Sequence, residues 1–210
     1  MATKKVTSLE VAKLAGVSQS AVSRVFTPGA SASKKTEAKV RKAAKELGYR
    51  PNILARSLIT GRSRIIGLVV AHLDNYFYPE ALELLSNALQ KKGYHVLVFM
   101  VAKTAGSIDE VVDEILDYQV DGIILASVAM SSNLASRCTS AGVPVILFNR
   151  SQDDDTFSAI TSDNILGGQK VARFLIAGGH KRIGYIAGWE GASTQRDRET
   201  GFVEELKDHG

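Results

Sequence analysis

Four polar side chains near the N-terminus have the types and the spacing needed to read DNA bases. They are Gln19, Ser20, Ser23 and Arg24. Arginine can form a bidentate contact with O6 and N7 of guanine, and glutamine can do the same with N6 and N7 of adenine. Serine hydroxyls reach phosphates or base edges. If these residues share the exposed face of one helix, that helix can lie in the major groove and read sequence.

Two short predicted helices would position this polar face. The segment Thr7–Glu10 is a capping box, which predicts a helix that starts at Ser8. Its i, i+3, i+4 pattern predicts a buried stripe of Val11, Leu14 and Ala15. Ser18 caps a second helix, whose Val22 and Val25 face the first. This arrangement is typical of a helix-turn-helix, although other compact three-helix domains share it.

A third predicted helix carries a basic outer face. Ser33 caps it, and its apolar positions recur at helical spacing at Val40, Ala43, Ala44 and Leu47. Residues 1–64 contain 14 Lys and Arg against 3 Asp and Glu, a net charge of +11, whereas residues 65–210 contain 12 against 19, a net charge of −7. The overall net charge of +4 is therefore the sum of a basic N-terminal segment and an acidic remainder, which we call the acidic body. This division favours a polyanionic partner, and a solvated basic helix surface is the alternative.

Beyond residue 64, short apolar runs alternate with helical patterns. Strands are predicted over residues 65–70, 95–101, 122–126, 143–148 and 182–187. Helices are predicted over residues 79–92, 107–118 and 133–141. This alternation predicts a parallel sheet with right-handed crossovers. The predicted fold class is therefore α/β with an N-terminal all-α headpiece.

Candidate ligand residues follow the predicted strands. Ligands of open parallel sheets bind beyond the carboxyl ends of the strands. These positions correspond to residues 72–78, Ser127 and Asn149–Arg150. They combine hydrogen-bonding groups with aromatic rings, which suits a sugar or nucleoside ring. Each polar residue taken alone also fits a loop cap.

Common catalytic and metal-binding patterns are missing from the sequence. It has no dinucleotide or phosphate loop and no nucleophile elbow. Its four histidines lack metal-ligand spacing, Cys138 has no obvious base partner, and residues 153–155 are typical of an acidic surface loop. We therefore expect neither an enzyme nor a cofactor or metal site. No apolar run resembles a signal peptide or a membrane span, so we expect a cytoplasmic protein with no membrane partner.

Six motifs in residues 6–58 occur with consistent spacing. They are Val6-Thr7, Val11-Ala12, Ala15-Gly16-Val17-Ser18, Val22-Ser23-Arg24-Val25, Gly48-Tyr49-Arg50-Pro51-Asn52 and Ala55-Arg56-Ser57-Leu58. The set resembles the headpiece of the LacI/GalR family of bacterial transcription repressors. The resemblance implies base contacts by Gln19, Ser20 and Arg24, and DNA backbone contacts by Thr7, Ser18, Ala21 and Ser23. It also implies a hinge helix that reaches the minor groove through Asn52, Ala55 and Leu58.

Leu58 would insert into the minor groove as the family's leucine does, because an apolar wedge unstacks a base step and bends the duplex. The alternative is a linker leucine that packs on the next domain.

Motifs of the same family continue through the acidic body. They include Ile66-Gly67-Leu68-Val69-Val70, Asp121-Gly122-Ile123-Ile124, Gly142-Val143-Pro144-Val145, Ser162-Asp163-Asn164, Gly179-His180 and Arg198-Glu199-Thr200-Gly201-Phe202. They imply a two-lobed effector domain like a periplasmic binding protein. Arg198 matches the family's effector-binding arginine, and Asn149 stands where many members have an aspartate. The candidate effector-binding residues are Asp74, Tyr76, Phe77, Ser127, Asn149 and Arg198.

The resemblance also predicts the organisation of the chain. We expect a headpiece at 1–50, a hinge at 51–62, a first lobe at 63–161 and the start of a second lobe at 162–210. Family chains are longer, so the second lobe is expected to be incomplete. The predicted function is a regulator that binds double-stranded, pseudo-palindromic operator DNA as a homodimer and responds to a small-molecule effector. The alternative is a solute- or sugar-sensing protein without a DNA function.

Overall fold

The fold is known from a computed structural model. It describes residues 6–27, 29–51, 61–71, 73, 75–101, 108–126, 132–152 and 157–209. The chain divides into two compact units, Met1–Ile59 and Thr60–Gly210.

The described residues of the first unit form three helices: α1 (Ser8–Ala15), α2 (Gln19–Val25) and α3 (Lys34–Leu47). The predicted capping box is present, because the Thr7 backbone N–H donates to Glu10 Oε2 at 2.7 Å and the Glu10 N–H donates to Thr7 Oγ1 at 3.4 Å. The three helices enclose a core of Val11, Ala12, Ala15, Val22, Val40, Ala43 and Ala44. The predicted headpiece helices are therefore confirmed.

The predicted burial of Leu14 is wrong. Its side chain is 49% exposed, and Ala12 is buried instead. On a helix, residues 11, 12 and 15 share a face, whereas residue 14 lies to one side of it. Packing against α2 and α3 determines which face of α1 is buried. Spacing in the sequence cannot show this, so the predicted buried stripe extended from Val11 towards Leu14 instead of towards Ala12.

The second unit contains a five-stranded parallel sheet with the order β2-β1-β3-β4-β5. Its strands are β1 (Ile65–Val70), β2 (His95–Met100), β3 (Gly122–Ala126), β4 (Val145–Phe148) and β5 (Ser158–Ile160). The helices among its described residues are α4 (Phe77–Lys91), α5 (Ile108–Asp117), α6 (Ser132–Ser140), α7 (Asn164–Ala177) and α8 (Ser193–Asp208). Buried residues of β1, β3 and β4 form apolar clusters on both faces of the sheet. The predicted α/β architecture is thus confirmed.

Several element boundaries differ from the predictions. Helix α4 begins at Phe77 and includes Pro79 in its first turn, where the missing N–H of proline costs no helical hydrogen bond. Strand β4 begins at Val145, after Pro144. Strand β5 was not predicted, because its three residues are exposed and show no apolar pattern.

The strand predicted over residues 182–187 is wrong. These residues form no strand in the described structure, and Ile186 is 99% exposed. A strand is defined by the ladder to its neighbour, and no described strand pairs with this apolar run.

Helices α7 and α8 cross at very close range through two glycines. A Cβ atom at Gly168 would overlap the carbonyl oxygen of Arg198 and would lie 2.8 Å from the backbone nitrogen of Phe202. A Cβ atom at Gly201 would overlap the carbonyl oxygen of Ile165. The absence of side chains at these two positions therefore sets the distance between the helices.

Farther along the same pair of helices, Arg173 Nη2 donates to Glu205 Oε2 at 2.7 Å. Glu205 is buried, while Arg173 is largely exposed. The hydrogen bond from Arg173 lowers the pKa of the Glu205 carboxyl, against the opposing effect of its burial.

Among the described residues, no helix is both long and apolar enough to cross a bilayer.

Candidate functional site

The predicted base-reading residues lie together on the exposed side of α2. Ser18 begins the helix, since its Oγ accepts from the Ala21 N–H at 3.2 Å. Val22 is buried against the other helices, which directs the opposite side of α2 outward. The outward residues are Gln19, Ser20, Ser23 and Arg24. Local capping and one buried valine thus produce the face that the sequence indicated.

Hydrogen bonds hold part of this face in place. Gln19 Nε2 donates to Ser8 Oγ of α1 at 2.9 Å, and the hydroxyls of Ser18 and Ser20 lie 3.0 Å apart. A glutamine amide has two N–H donors and a carbonyl acceptor, so Gln19 keeps one donor and its acceptor for a base edge. Sequence reasoning missed Ser8, since it lies on α1 and has no base-reading pattern of its own.

The other headpiece residues have varied surroundings. The hydroxyl of Thr7 donates to Glu10 Oε2 at 2.9 Å within the capping box, and Ala21 is half-buried. Helix α3 presents six exposed cations: Lys34, Lys35, Lys39, Arg41, Lys42 and Lys45. Of these, Arg41 forms an ion pair with Glu37 at 2.8 Å, which reduces its availability for phosphate. The proposed minor-groove residues Asn52, Ala55 and Leu58 lie outside the described residues.

An aromatic cluster lies where β4 ends and α4 begins. The Phe77 ring stacks on Phe148, with centroids 6.0 Å apart and planes 9° apart. Phe77 also contacts the buried Tyr78 ring edge-on at 5.2 Å, and is itself 46% exposed. The neighbouring Tyr76 is 93% exposed. The carboxyl edge of the sheet therefore offers the exposed aromatic surface expected there, and Phe148 is a member that sequence reasoning missed.

Asn149 lies next to this cluster in the left-handed conformation, with φ 58°. Asparagine tolerates that conformation better than most residues do. Its Nδ2 donates to the hydroxyl of Tyr78 at 2.9 Å. Two predicted site segments, residues 72–78 and Asn149, are therefore joined by a direct hydrogen bond.

Arg198 is held from the side by α7. Its Nε donates to Oδ1 of Asn164 at 2.9 Å, and Asn164 is itself buried and donates from Nδ2 to the carbonyl of Ser162 at 2.8 Å. Arg198 is an exposed residue, and this bond uses only Nε, so the two terminal guanidinium nitrogens can face a ligand. Arginine uses such a planar pair of donors to contact hydroxyls or carboxylates. In the sequence, Asn164 stands out only as part of the Ser162-Asp163-Asn164 motif, which assigns it no contact.

Two contacts connect the loop after β4 to the start of α8. Arg150 Nη1 donates to Thr194 Oγ1 at 2.8 Å, and the Ser151 N–H donates to Ser193 Oγ at 2.9 Å. Thr194 and Arg198 are four residues apart and lie on the same side of α8. The loop that carries Asn149 and the helix that carries Arg198 are thus directly bonded to each other. The short polar pair at the start of α8 was the available sequence signal.

The remaining candidate residues are Asp74, Ser127 and Cys138. Asp74 and Ser127 lie outside the described residues. Burial raises the pKa of the Cys138 thiol, partly offset by Arg137, which disfavours a reactive thiolate. Within the described residues, no group of three His, Cys, Asp or Glu side chains is arranged to hold a metal ion.

Comparison with known families gives each unit a match. Residues 7–52 match the family of bacterial regulatory proteins, lacI family. Residues 63–210 match periplasmic binding proteins and the sugar binding domain of the LacI family. This chain belongs to the LacI family. The match of the headpiece disfavours a sensing protein without a DNA function.

Curated members of the LacI family align over nearly the whole chain. The maltose regulon regulatory protein MalI of Escherichia coli (strain K12) is 34% identical over 99% of this chain and 61% of its own length. The sucrose operon repressor of Klebsiella pneumoniae is 31% identical over 100% of this chain and 64% of its own length. The chain thus spans less than two thirds of these relatives, which are regulatory proteins rather than enzymes.

Solved structures of the LacI family have the same fold. The lac repressor dimer bound to operator and the anti-inducer ONPF matches with a TM-score of 0.83 and 28% identity, over 98% of this chain and 63% of that one. A complex of the transcriptional regulator CelR with cellobiose matches with a TM-score of 0.63 and 31% identity, over 98% and 62%.

Proposed function

We propose that this protein is a sequence-specific, DNA-binding transcription repressor whose DNA affinity is controlled by a small molecule. The observation that carries the proposal is the exposed polar face of α2 within a headpiece that matches the lacI regulatory family. Gln19, Ser20 and Arg24 contact bases, while Thr7, Ser18, Ala21 and Ser23 contact the DNA backbone. The protein acts in the cytoplasm, where its DNA target is, and performs no catalysis.

The operator is a pseudo-palindrome that is bound by a homodimer. One helix-turn-helix buries too little surface for high specificity, so two copies related by a two-fold axis read two half-sites. The related lac repressor is a dimer on its operator, which supports this assignment. The segment at 51–62 forms the hinge, in which Asn52, Ala55 and Leu58 reach the minor groove.

The second unit binds the effector, a sugar or nucleoside-like molecule. The aromatic surface of Tyr76 and Phe77 stacks on a ring, Asn149 and Arg198 supply hydrogen bonds, and Asp74 and Ser127 complete the site. Effector binding changes the relative placement of the lobes at 63–161 and 162–210, which alters the hinge and hence DNA affinity.

The central experiment is selection of bound duplexes from a random library, followed by anisotropy titrations. A selected duplex should bind far more tightly than a scrambled one, and its affinity should fall steeply with salt. Arg24→Ala should relax the preference at one base pair and cost about 1 to 3 kcal/mol there. Lys42→Ala, a change of an exposed cation on α3, should weaken all duplexes equally or not at all.

Equal weakening of every duplex by Arg24→Ala would reassign Arg24 to phosphate contact. Failure of the unchanged protein to select any sequence would refute DNA reading. A thermal-shift panel of free sugars and nucleosides tests the effector. Stabilisation that Arg198→Ala abolishes would support the proposed site, whereas stabilisation that the variant retains would exclude Arg198 from it.

A further inference from the structure

One carboxylate holds the residues that lead into β1 of the second unit. Asp121 Oδ1 accepts from the Ser63 backbone N–H at 2.8 Å and from the Ser63 hydroxyl at 3.0 Å. Asp121 Oδ2 accepts from the Arg64 backbone N–H at 3.1 Å. Ser63 is buried, and hydrogen bonds to an ionised carboxylate are stronger than neutral ones. Three donors from two adjacent residues therefore converge on one side chain 57 positions away from Arg64.

Further bonds fix the backbone around this carboxylate. The Asp121 N–H donates to the Ile65 carbonyl at 2.8 Å, the His95 N–H donates to the Arg64 carbonyl at 2.8 Å, and the Ile65 N–H donates to Ser63 Oγ at 3.1 Å. Arg64 has φ 56°, in the left-handed region that a side chain disfavours. A costly backbone conformation persists only where its surroundings hold it. Asp121 contributes to that hold, because it accepts from the Ser63 and Arg64 N–H groups and so fixes the two peptide units on either side of the Ser63 Cα, while the His95 N–H fixes the carbonyl of Arg64.

We propose that Asp121 is a positioning residue for operator binding, which fixes the direction in which the chain before Gly61 leaves the second unit. This role rests on the proposed function. The connection from the DNA-reading unit enters the second unit through Ser63 and Arg64. A rigid anchor there reduces the number of conformations that the free connection adopts, so less conformational entropy is lost when the protein binds DNA. Binding is tighter when such ordering precedes association. Without the anchor, the same base contacts form at a greater entropic cost.

The test compares Asp121→Asn with Asp117→Asn in the full chain. In Asp121→Asn, the side-chain amide keeps one acceptor oxygen, but its NH2 group then faces donors of Ser63 or Arg64. Asp117 is the control because it is exposed at the end of α5. Hydrogen exchange at the amides of Ser63 and Arg64 should become about tenfold faster only in Asp121→Asn. Affinity for the selected duplex should fall about tenfold, equivalent to about 1.4 kcal/mol, with base preference and scrambled-duplex affinity unchanged.

Faster exchange at these amides with unchanged operator affinity would overturn the positioning role and leave Asp121 a purely structural anchor. Ser63→Ala removes the hydroxyl, with its bonds to Asp121 and to the Ile65 N–H, but keeps the two backbone N–H bonds to Asp121. It should therefore produce a smaller loss of affinity, which can be measured even if Asp121→Asn does not fold. Operator affinity of Ser63→Ala equal to that of the unchanged protein would then refute the proposal. If the unchanged protein selects no duplex, the proposed function itself fails, and this role with it.

Discussion

Gly168→Ala should destabilise the packing of α7 on α8, although alanine is normally the better residue within a helix. Replacing an interior helical glycine by alanine contributes about 1 kcal/mol of stability through backbone entropy. At Gly168 the new methyl group would overlap the Arg198 carbonyl oxygen and lie 2.8 Å from the Phe202 nitrogen. Both are backbone atoms, so no side-chain rotation relieves the overlap. The helices must separate.

Gly167→Ala is the matched control. Gly167 is the preceding residue of the same helix, and a Cβ atom there would meet nothing within 4 Å. Since helix propensity contributes to both variants, their difference isolates the overpacking cost. Overpacking typically costs about 1 to 3 kcal/mol, so Gly168→Ala should be less stable than Gly167→Ala by about that amount. Gly167→Ala itself should match or slightly exceed the stability of the unchanged protein.

Urea unfolding, followed by circular dichroism and by the fluorescence of Trp189, measures these free energies. Trp189 is the only tryptophan in the sequence and lies shortly before α8. Equal stability of the two alanine variants, or a more stable Gly168→Ala, would refute the close crossing of the helices. Gly201→Ala gives a second measurement, because its methyl group would overlap the Ile165 carbonyl oxygen from the other helix.

Two further predictions test a helix cap and an ion pair. Ser33→Ala removes the oxygen that accepts from the Thr36 N–H at 3.2 Å, and should cost about 1 kcal/mol of headpiece stability in thermal unfolding, while Ser31→Ala in the preceding loop should be neutral. The pKa of Glu205 lies below its ordinary value of 4.5 through the Arg173 hydrogen bond, so its stabilisation is complete above that value and is lost as the pH falls towards the lower folded pKa. The urea midpoint should therefore fall less steeply below pH 4.5 in Glu205→Gln than in Glu204→Gln. Parallel curves of urea midpoint against pH would contradict a stabilising ion pair between Arg173 and Glu205.

Local signals in the sequence were enough to predict the headpiece. The Thr7–Glu10 box and the caps at Ser18 and Ser33 act within three residues of themselves, so they depend little on distant parts of the chain. The outward face of α2 followed from Val22 and helical periodicity. Leu14 shows the limit, because which of two adjacent faces is buried depends on where α2 and α3 pack.

Apolar runs were also enough to predict strands β1 to β4 of the parallel sheet. The reason applies fully to β1 and β3, since strands buried on both faces are continuous apolar runs in sequence, whereas β2 lies at the edge of the sheet and has no buried residue. The apolar run at residues 182–187 led to a wrong strand prediction, because strand formation requires a partner strand as well as apolar residues. Strand β5 is the opposite case, because it pairs with β4 but has no apolar pattern that would predict it.

The sequence by itself determined the family, the helix-turn-helix and the edge of the sheet where the candidate ligand residues lie, because motifs, caps, periodicity and strand ends are local properties. Only the tertiary structure decided which side chains hold one another. The hydrogen bonds from Asn149 to Tyr78, from Arg198 to Asn164 and from Ser63 to Asp121 join residues 34 to 71 positions apart. The packing of strands and helices creates those contacts, so no local pattern could specify them.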